Sequence, residues 1–401
     1  MTASTTADLA DPRTHTDPGR FEMWRRLRTE DPVLWHPVSG PGRGFWVISR
    51  YEDVQAVYRD DRRFTSERGN VLDTLLRGHD SAAGKMLAVT DGERHRDVRN
   101  TLLKSFSPRA LGPVVEKVRA RARGLLAYAV ARGETDFATE VAERIPLATI
   151  CDLLGVPEQD RPYLLSLSKT AFSADEADAD EREVWRVRNE VLMYFSRLAS
   201  IRRAAPESDM ISVLATCTVR GEPLTEEEIV LNCYSLILGG EETSRLAMIG
   251  GVRELSRNPE QWASLRDGSV PVASAVEEIL RWTTPSLHFG RRAVEDVVLD
   301  DLLIAAGDAV TLWNVSANRD ESVFPDADVF DLARTPNKHL TFGFGPHFCL
   351  GAFLARAEIT AVVEGLRDLV DTIEPAGPAL PIYSNFLAGY RSLPVRFVPR
   401  S

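Results

Sequence analysis

Residues 225–257 read TEEEIVLNCYSLILGGEETSRLAMIGGVRELSR, and no other stretch limits the fold as strongly. Thr225 and Glu228 stand three apart, the spacing of a reciprocal N-terminal cap, and Pro259 closes the run. The centre, LNCYSLILGG, is apolar nearly all round, which predicts a helix through the interior rather than along a surface. Such a helix needs neighbours on every side. FEMWRRLRTE, YEDVQAVYRD, RHRDVRNTLLKSF, ALGPVVEKVRARARGLLAYAVA and the stretches 141–154 and 180–203 space apolar residues three and four apart, and supply them. Strand signals are short: GFWVISR early, HFGRRAVEDVVLDDLLIAAGDAVTLWN and SLPVRFV late. The reading is a mainly α chain, a large helical domain with a small β-rich region to one side.

With 401 residues, 44% of them hydrophobic, the chain can bury roughly 75% of its extended surface, enough for a core that encloses a cavity. No Pro-, Gly- or Ser-rich linker interrupts it, so residues 1–401 are expected to form one domain. A net charge of −11 argues against nucleic acid as a partner. The first 20 residues are polar and read as a flexible start, neither signal peptide nor anchor, and no apolar run is long enough to span a membrane. Cys151, Cys217, Cys233 and Cys349 lie far apart, which fits a reducing compartment. A soluble, cytoplasmic protein is expected.

One cysteine stands outside the helical pattern. In HLTFGFGPHFCLGAFLAR, residues 339–356, Cys349 occupies a glycine-punctuated loop just before an apolar helical run. Gly343, Gly345 and Gly351 permit positive φ and let backbone approach a flat ligand. Free N–H groups at the following helix start favour a thiolate and lower its pKa. Phe342 and Phe348 would keep water out. A sulfur so placed can ligate a metal through one bond. The plain alternative is a buried structural cysteine. Zinc would need four ligands, and His347 alone is near; it is also the one evident base for a catalytic thiol.

Taken whole, FGFGPHFCLGAFLAR resembles the haem-binding loop of the cytochrome P-450 family. The family pattern F-G-x-G-x-H-x-C-x-G is met at Phe342, Gly343, Gly345, His347, Cys349 and Gly351. The resemblance implies that Cys349 is the axial thiolate of haem b, held between the long distal helix and the cysteine-loop helix. In the long helix, Gly239, Gly240, Glu242, Thr243 and Ser244 match the family's [AG]-G-x-[DE]-T-[ST]. From the residues alone, this run reads either as close helix packing with Glu242 paired to Arg245, or as a local opening of the hydrogen-bond ladder. The resemblance implies the second, with Thr243 holding dioxygen and Glu242 feeding protons. Glu241 departs from the family, which often has His or Asn there.

Further matches follow in the family's order. Glu278 and Arg281 correspond to the structural E-x-x-R, whose third partner is sought in NRDESVFPDADVFDLAR; Arg319 and Arg334 are candidates, and Val329 replaces a frequent arginine. His95, Arg99, Arg291 and His339 match positions that hold the haem propionates. By the same analogy, the substrate walls are residues 70–79 with Leu75 and Leu76, 171–177 with Phe172, and 236–243 with Leu236, Gly239 and Gly240. Residues 284–289 with Leu287, His288 and Phe289, and 384–388 with Phe386 and Leu387, complete them.

The resemblance implies a monomeric haem–thiolate monooxygenase that activates O₂ with two electrons to hydroxylate, epoxidise or cyclise an apolar to aromatic small molecule. An Ala/Arg-rich composition is similar to that of actinobacterial members that make antibiotics and other secondary metabolites. Electrons would come from NAD(P)H through a ferredoxin reductase and a ferredoxin docking on the Cys349 side, at Arg96, Lys104 and Arg356. Two rivals remain open: a haem–thiolate isomerase, dehydratase or peroxygenase, and a haem sensor without turnover.

Overall fold

The computed structural model describes residues 7–38, 44–171 and 181–400, and its longest element is the helix Glu226–Arg257. The cap foreseen at its start is present: Thr225 Oγ1 accepts from the Glu228 N–H at 3.2 Å, and the Glu228 carboxylate accepts from the Thr225 N–H at 2.8 Å. This central helix packs on Glu181–Ala204, Pro146–Leu154, Val272–Thr283 and the cysteine-loop helix Ala352–Leu369. Its Cys233 and Ile237 enter an apolar cluster with Leu154, Phe195 and Leu354. Ile249 and Val252 enter a second, with Phe137, Ile279 and Leu366. Each fully buried side chain of this size contributes about 1.5–3 kcal/mol, so both ends of the helix are pinned by burial.

The β structure lies to one side. A five-stranded sheet runs in the order Val33–Pro37, Gly44–Ile48, Ala309–Leu312, Phe289–Ala293, Phe64–Thr65. Val310 stands opposite Trp46 on one neighbour and Arg291 on the other. Because side chains alternate along a strand, this register sends Arg291 inward and Arg292 outward, where it donates to the Gly307 and Leu75 carbonyls. A second sheet joins Val370–Pro375, Pro394–Pro399 and Glu134–Asp136. Mainly helical architecture with small β regions is therefore as expected.

Three details differ from the sequence reading. The helical stretch 141–154 breaks, and Pro146, which has no N–H to lose, opens a fresh helix Pro146–Leu154 after the turn Ala142–Arg144. Strands Val33–Pro37, Glu134–Asp136 and Val370–Pro375 lack clear alternation in sequence and are set by pairing instead. The polar start is not loose from residue 7 onward. Leu9 and His15 are buried, and the His15 ring stacks on Trp313 at 5.4 Å. Among the described residues no helix is long and apolar enough to cross a membrane, and all four cysteines are free.

Candidate active site

A cavity of about 560 Å³ lies between the central helix and the cysteine loop. Gly239, Gly240 and Thr243 line it from one side and Phe342, Cys349 and Leu350 from the other. The loop takes its shape from backbone that only glycine adopts readily: φ is 68° at Gly343 and 69° at Gly345. A Cβ on Gly345 would sit 2.6 Å from the Tyr58 carbonyl oxygen. Gly351 is different, with φ −84°; it stands at the N-cap of Ala352–Leu369 and needs no left-handed backbone. The turn is closed by the Cys349 N–H donating to Phe342 O at 2.9 Å.

Burial pushes the Cys349 thiol up, while the Gly351 N–H and the guanidinium groups of Arg99 and Arg356 pull the other way. The helix-start effect foreseen from sequence is present but outweighed. A thiolate at this depth needs a positive charge on its open side, which a bound metal ion provides.

Cations gather along one edge of the same cavity. Arg291 is 4% exposed, its guanidinium lies 5.6 Å from the Tyr58 ring centroid, and among the described residues no carboxylate pairs with it. Arg99 donates to Phe348 O at 2.5 Å. His95 is buried and stacks on His347 at 4.2 Å; burial and the neighbouring His347 and Arg99 charges hold it down at about 4, and its Nε2 has no partner. A buried arginine, a partly buried one and an orphaned imidazole nitrogen on one rim call for a dianionic edge. An iron porphyrin with two propionates has that edge, and a metal to set against Cys349. The residues present suit it.

His347 Nε2 lies 2.7 Å from Asp91 Oδ1. Burial would raise Asp91, but His347, the Thr65 hydroxyl and the Ser66 N–H hold its carboxyl at about 2. Asp91 was missed from sequence because its partners come from two distant segments, residues 65–66 and His347. His339 needs a correction: it does not line the cavity. Its Nε2 is 3.2 Å from Glu277 Oε2, and the same carboxylate accepts from Arg356 Nε at 2.6 Å. His339 thus braces the loop from behind, and Arg356, committed to Glu277 and lying over Phe342, is half-buried. Arg96 and Lys104 are exposed.

The pair Glu278–Arg281 is completely buried and bidentate, at 2.7 and 2.8 Å. Arg281 also donates to the carbonyls of Asn318 and Ala327, and Asn337 and the Asp331 N–H donate to Glu278. Arg334, with Nε 3.2 Å from Glu278, is the third partner that the sequence left open. Arg319 instead pairs with Asp328 and lies over Trp282.

On the opposite side the central helix is continuous through its glycines, so the foreseen opening of the ladder is absent. The glycines divide the work. A Cβ on Gly240 would lie 2.6 Å from Ile150 Cδ1, whereas one on Gly239 would meet nothing within 4 Å. Gly240 lets two helices touch and Gly239 leaves open space beside the cavity. Thr243 donates back to Gly239 O at 2.7 Å. Glu242 lines the cavity yet is held by Arg245 at 3.1 and 2.5 Å; burial pushes its carboxyl up.

A second acid was missed. Glu358, on the cysteine-loop helix, is 2% exposed and lines the cavity. Burial pushes it up to about 7, with hydrogen bonds to Ser244 and Thr149 pulling the other way. Its signal was there: an acid four residues after Leu354, on an otherwise apolar stripe.

The substrate walls are corrected in part. Leu236, Gly239, Gly240, Phe289, Phe386 and Leu387 line the cavity. Leu75, Leu76, Leu287 and His288 do not. The three leucines pack into the cluster around Trp24 and Trp313, and His288 lies against Trp313; Leu72 joins that cluster too but, unlike Leu75 and Leu76 on its short helix, also reaches the cavity. Phe172 lies outside the described residues.

Comparison with known proteins follows the same lines. The Cytochrome P450 family model matches residues 271–366. Cytochrome P450 NovI of Streptomyces niveus is 50% identical over 389 residues, 97% of this chain and 96% of that protein. Linalool 8-monooxygenase of Pseudomonas putida is 33% identical over 404 residues, 98% of this chain and 99% of that one. The crystal structure of P450 OxyD, involved in the biosynthesis of vancomycin-type antibiotics, superposes with a TM-score of 0.90 at 35% identity, covering 98% of this chain and 100% of its own. A likeness of this extent, with the cysteine loop facing a cavity under a continuous distal helix, makes this protein a member of the cytochrome P450 family and a monooxygenase with bacterial homologues.

Proposed function

We propose that the protein oxidises an apolar to aromatic natural-product precursor, converting substrate, O₂, NAD(P)H and a proton to oxidised product, water and NAD(P)⁺. The observation that carries this is one cavity lined both by Cys349 and by Thr243. When bound, haem b supplies the thiolate-supported activation of dioxygen that no side chain offers. Cys349 would hold its iron, and Arg291, Arg99 and His95 its propionates, with His347 kept in place by Asp91.

Thr243 holds a proton at Oγ1 on the cavity side. Glu242 is the foreseen proton donor, but it must first leave Arg245. Glu358 holds a proton near neutrality, makes no ion pair among the described residues although the charge of Arg121 acts on it, and joins the relay through Ser244. Phe289 and Phe386, with ring centroids 5.7 Å apart and nearly perpendicular, pack edge to face on each other and form the aromatic wall of a slot for an aromatic substrate. The antibiotic-pathway role of OxyD and the Streptomyces origin of NovI support the substrate class.

In this reading residues 1–401 form a single domain, and the protein is cytoplasmic and monomeric. Electrons arrive from a ferredoxin and its reductase, with the exposed Arg96 and Lys104 as docking cations. The test is optical and catalytic. The purified protein, reduced under carbon monoxide, should give the strongly red-shifted Soret band of thiolate ligation. Product should require ferredoxin, reductase, NAD(P)H and O₂ together. A histidine-type band, or turnover without O₂, would overturn the assignment.

A further inference from the structure

His288 matched a substrate-wall position, yet it is fully buried one layer behind the cavity. What it touches is unusual. The short helix Leu72–Arg77 begins at Val71, which has no side-chain oxygen to accept an orphan N–H of the first turn. His288 Nε2 takes that place, accepting from the Leu72 N–H at 3.2 Å. The accepting nitrogen fixes the tautomer, with the proton on Nδ1, which lies beside the Asn385 backbone without closing a bond. The ring face rests on Trp313 at 4.6 Å, and Phe386 meets it edge-on at 5.6 Å.

Three cavity walls therefore converge on one imidazole. Asn70, Val71 and Leu72 line the cavity from the short helix, Phe289 from the strand, and Phe386 from the C-terminal loop. Backbone bonds also tie the walls: Gly290 N–H to Asn70 O at 2.7 Å, Leu287 N–H to Phe386 O at 2.8 Å and Ala388 N–H to Pro285 O at 2.9 Å. Burial holds His288 down at about 3, so its Nε2 is a neutral acceptor at neutral pH.

We infer that His288 is a positioning residue, whose Nε2 pins the start of Leu72–Arg77 against the Phe289 and Phe386 walls and thereby fixes the width of the slot that selects substrate. The selection part rests on the reading of this cavity as the substrate chamber; the pinning part does not.

The experiment separates the two. Hydrogen exchange of the holoprotein is followed for peptides covering residues 70–77 in wild type, His288→Phe, His288→Asn and His288→Gln. Phe keeps an aromatic ring without the acceptor, Asn places its oxygen too short, and Gln places one near the Nε2 position. A buried N–H left unpaired should speed exchange about 10- to 100-fold in the Phe and Asn variants, with Gln close to wild type. Equal exchange in all four, or an increase spread over every peptide, would overturn the pinning. If His288→Phe does not fold, the Asn and Gln pair carries the same contrast.

Imidazole and 1-phenylimidazole are then titrated by their optical shift. Imidazole should bind all variants alike, while 1-phenylimidazole, which needs the slot, should lose or gain affinity about 5- to 10-fold in Phe and Asn only. Unchanged 1-phenylimidazole affinity alongside altered exchange would remove the selective role and keep the pin. Absence of any optical shift in wild type would count against the haem reading instead.

Discussion

The two sides of the cavity are held by different physics. The cysteine side is a lattice of ion pairs and hydrogen-bonded carboxylates: Asp91 with His347, Glu277 with Arg356, Glu278 with Arg281 and Arg334. The roof opposite is an apolar patchwork, in which Leu72, Phe289 and Phe386 come from three segments spread along the chain. Charges buried in fixed pairs tolerate no substitution without leaving a partner stranded. Apolar walls tolerate exchange as long as volume is kept. One side can therefore stay constant while the other is re-cut for a new substrate.

That contrast can be broken from either side. Cys349→Ala should be the severest change, abolishing the thiolate-type spectrum and lowering turnover at least about 10⁴-fold, or about 5 kcal/mol. Retained activity would end the account of the cysteine side. Arg281→Ala leaves Glu278 buried without its partner and should cost about 3–5 kcal/mol in urea unfolding. A loss under 1 kcal/mol would mean that Arg334 and Asn337 suffice.

Glu358 sharpens the boundary, since it stands on the cysteine-loop helix but reaches the distal helix through Ser244. Its folded pKa of about 7 lies above the ordinary 4.5, so the folded state binds the proton more tightly than the unfolded chain does. Its contribution is complete below pH 4.5 and fades as pH rises to 7, by about 3 kcal/mol at most. Unfolding free energies measured across that window should fall in wild type and lie flatter in Glu358→Gln. Parallel curves would place the titration elsewhere.

Thr243→Ala should leave the spectrum and fold intact but reduce product formed per NAD(P)H consumed about 10-fold, the balance appearing as hydrogen peroxide. Unchanged coupling would remove Thr243 from proton delivery. Least costly is Leu72→Ala, which should shift the dissociation constant of an aromatic ligand about 3-fold while leaving the reduced carbon monoxide spectrum untouched. A lost spectrum would show that roof and cysteine side are not separable.

The same division explains what could be read in advance. The cysteine loop is local, so its glycine spacing was visible as a motif, whereas the cations were placed by resemblance to the family, and only the strand register in the structure sends Arg291 rather than Arg292 inward. Asp91 was not visible, because Thr65, Ser66 and His347 approach it only in three dimensions. His339 misled because a histidine ahead of the loop reads equally well facing haem or Glu277, and Arg356 on the next helix decided it. On the roof, Leu72 and Leu75 lie on one short helix, and sequence cannot say which faces inward. Gly290 decides: a Cβ there would fall 2.1 Å from Leu75 Cδ1, so the missing side chain makes the berth that draws Leu75 away from the cavity.

Glu277 and Glu278 are consecutive on Val272–Thr283, so their side chains leave it roughly 100° apart. One reaches forward to the helix that follows the cysteine, the other sideways to residues 331–337. The helix works as an indexing cam: a single residue added or removed ahead of Glu277 would rotate both carboxylates at once and unhook two distant segments together. Length changes that a surface loop would absorb should therefore be excluded from this stretch, whatever substrate the enzyme is remodelled to accept.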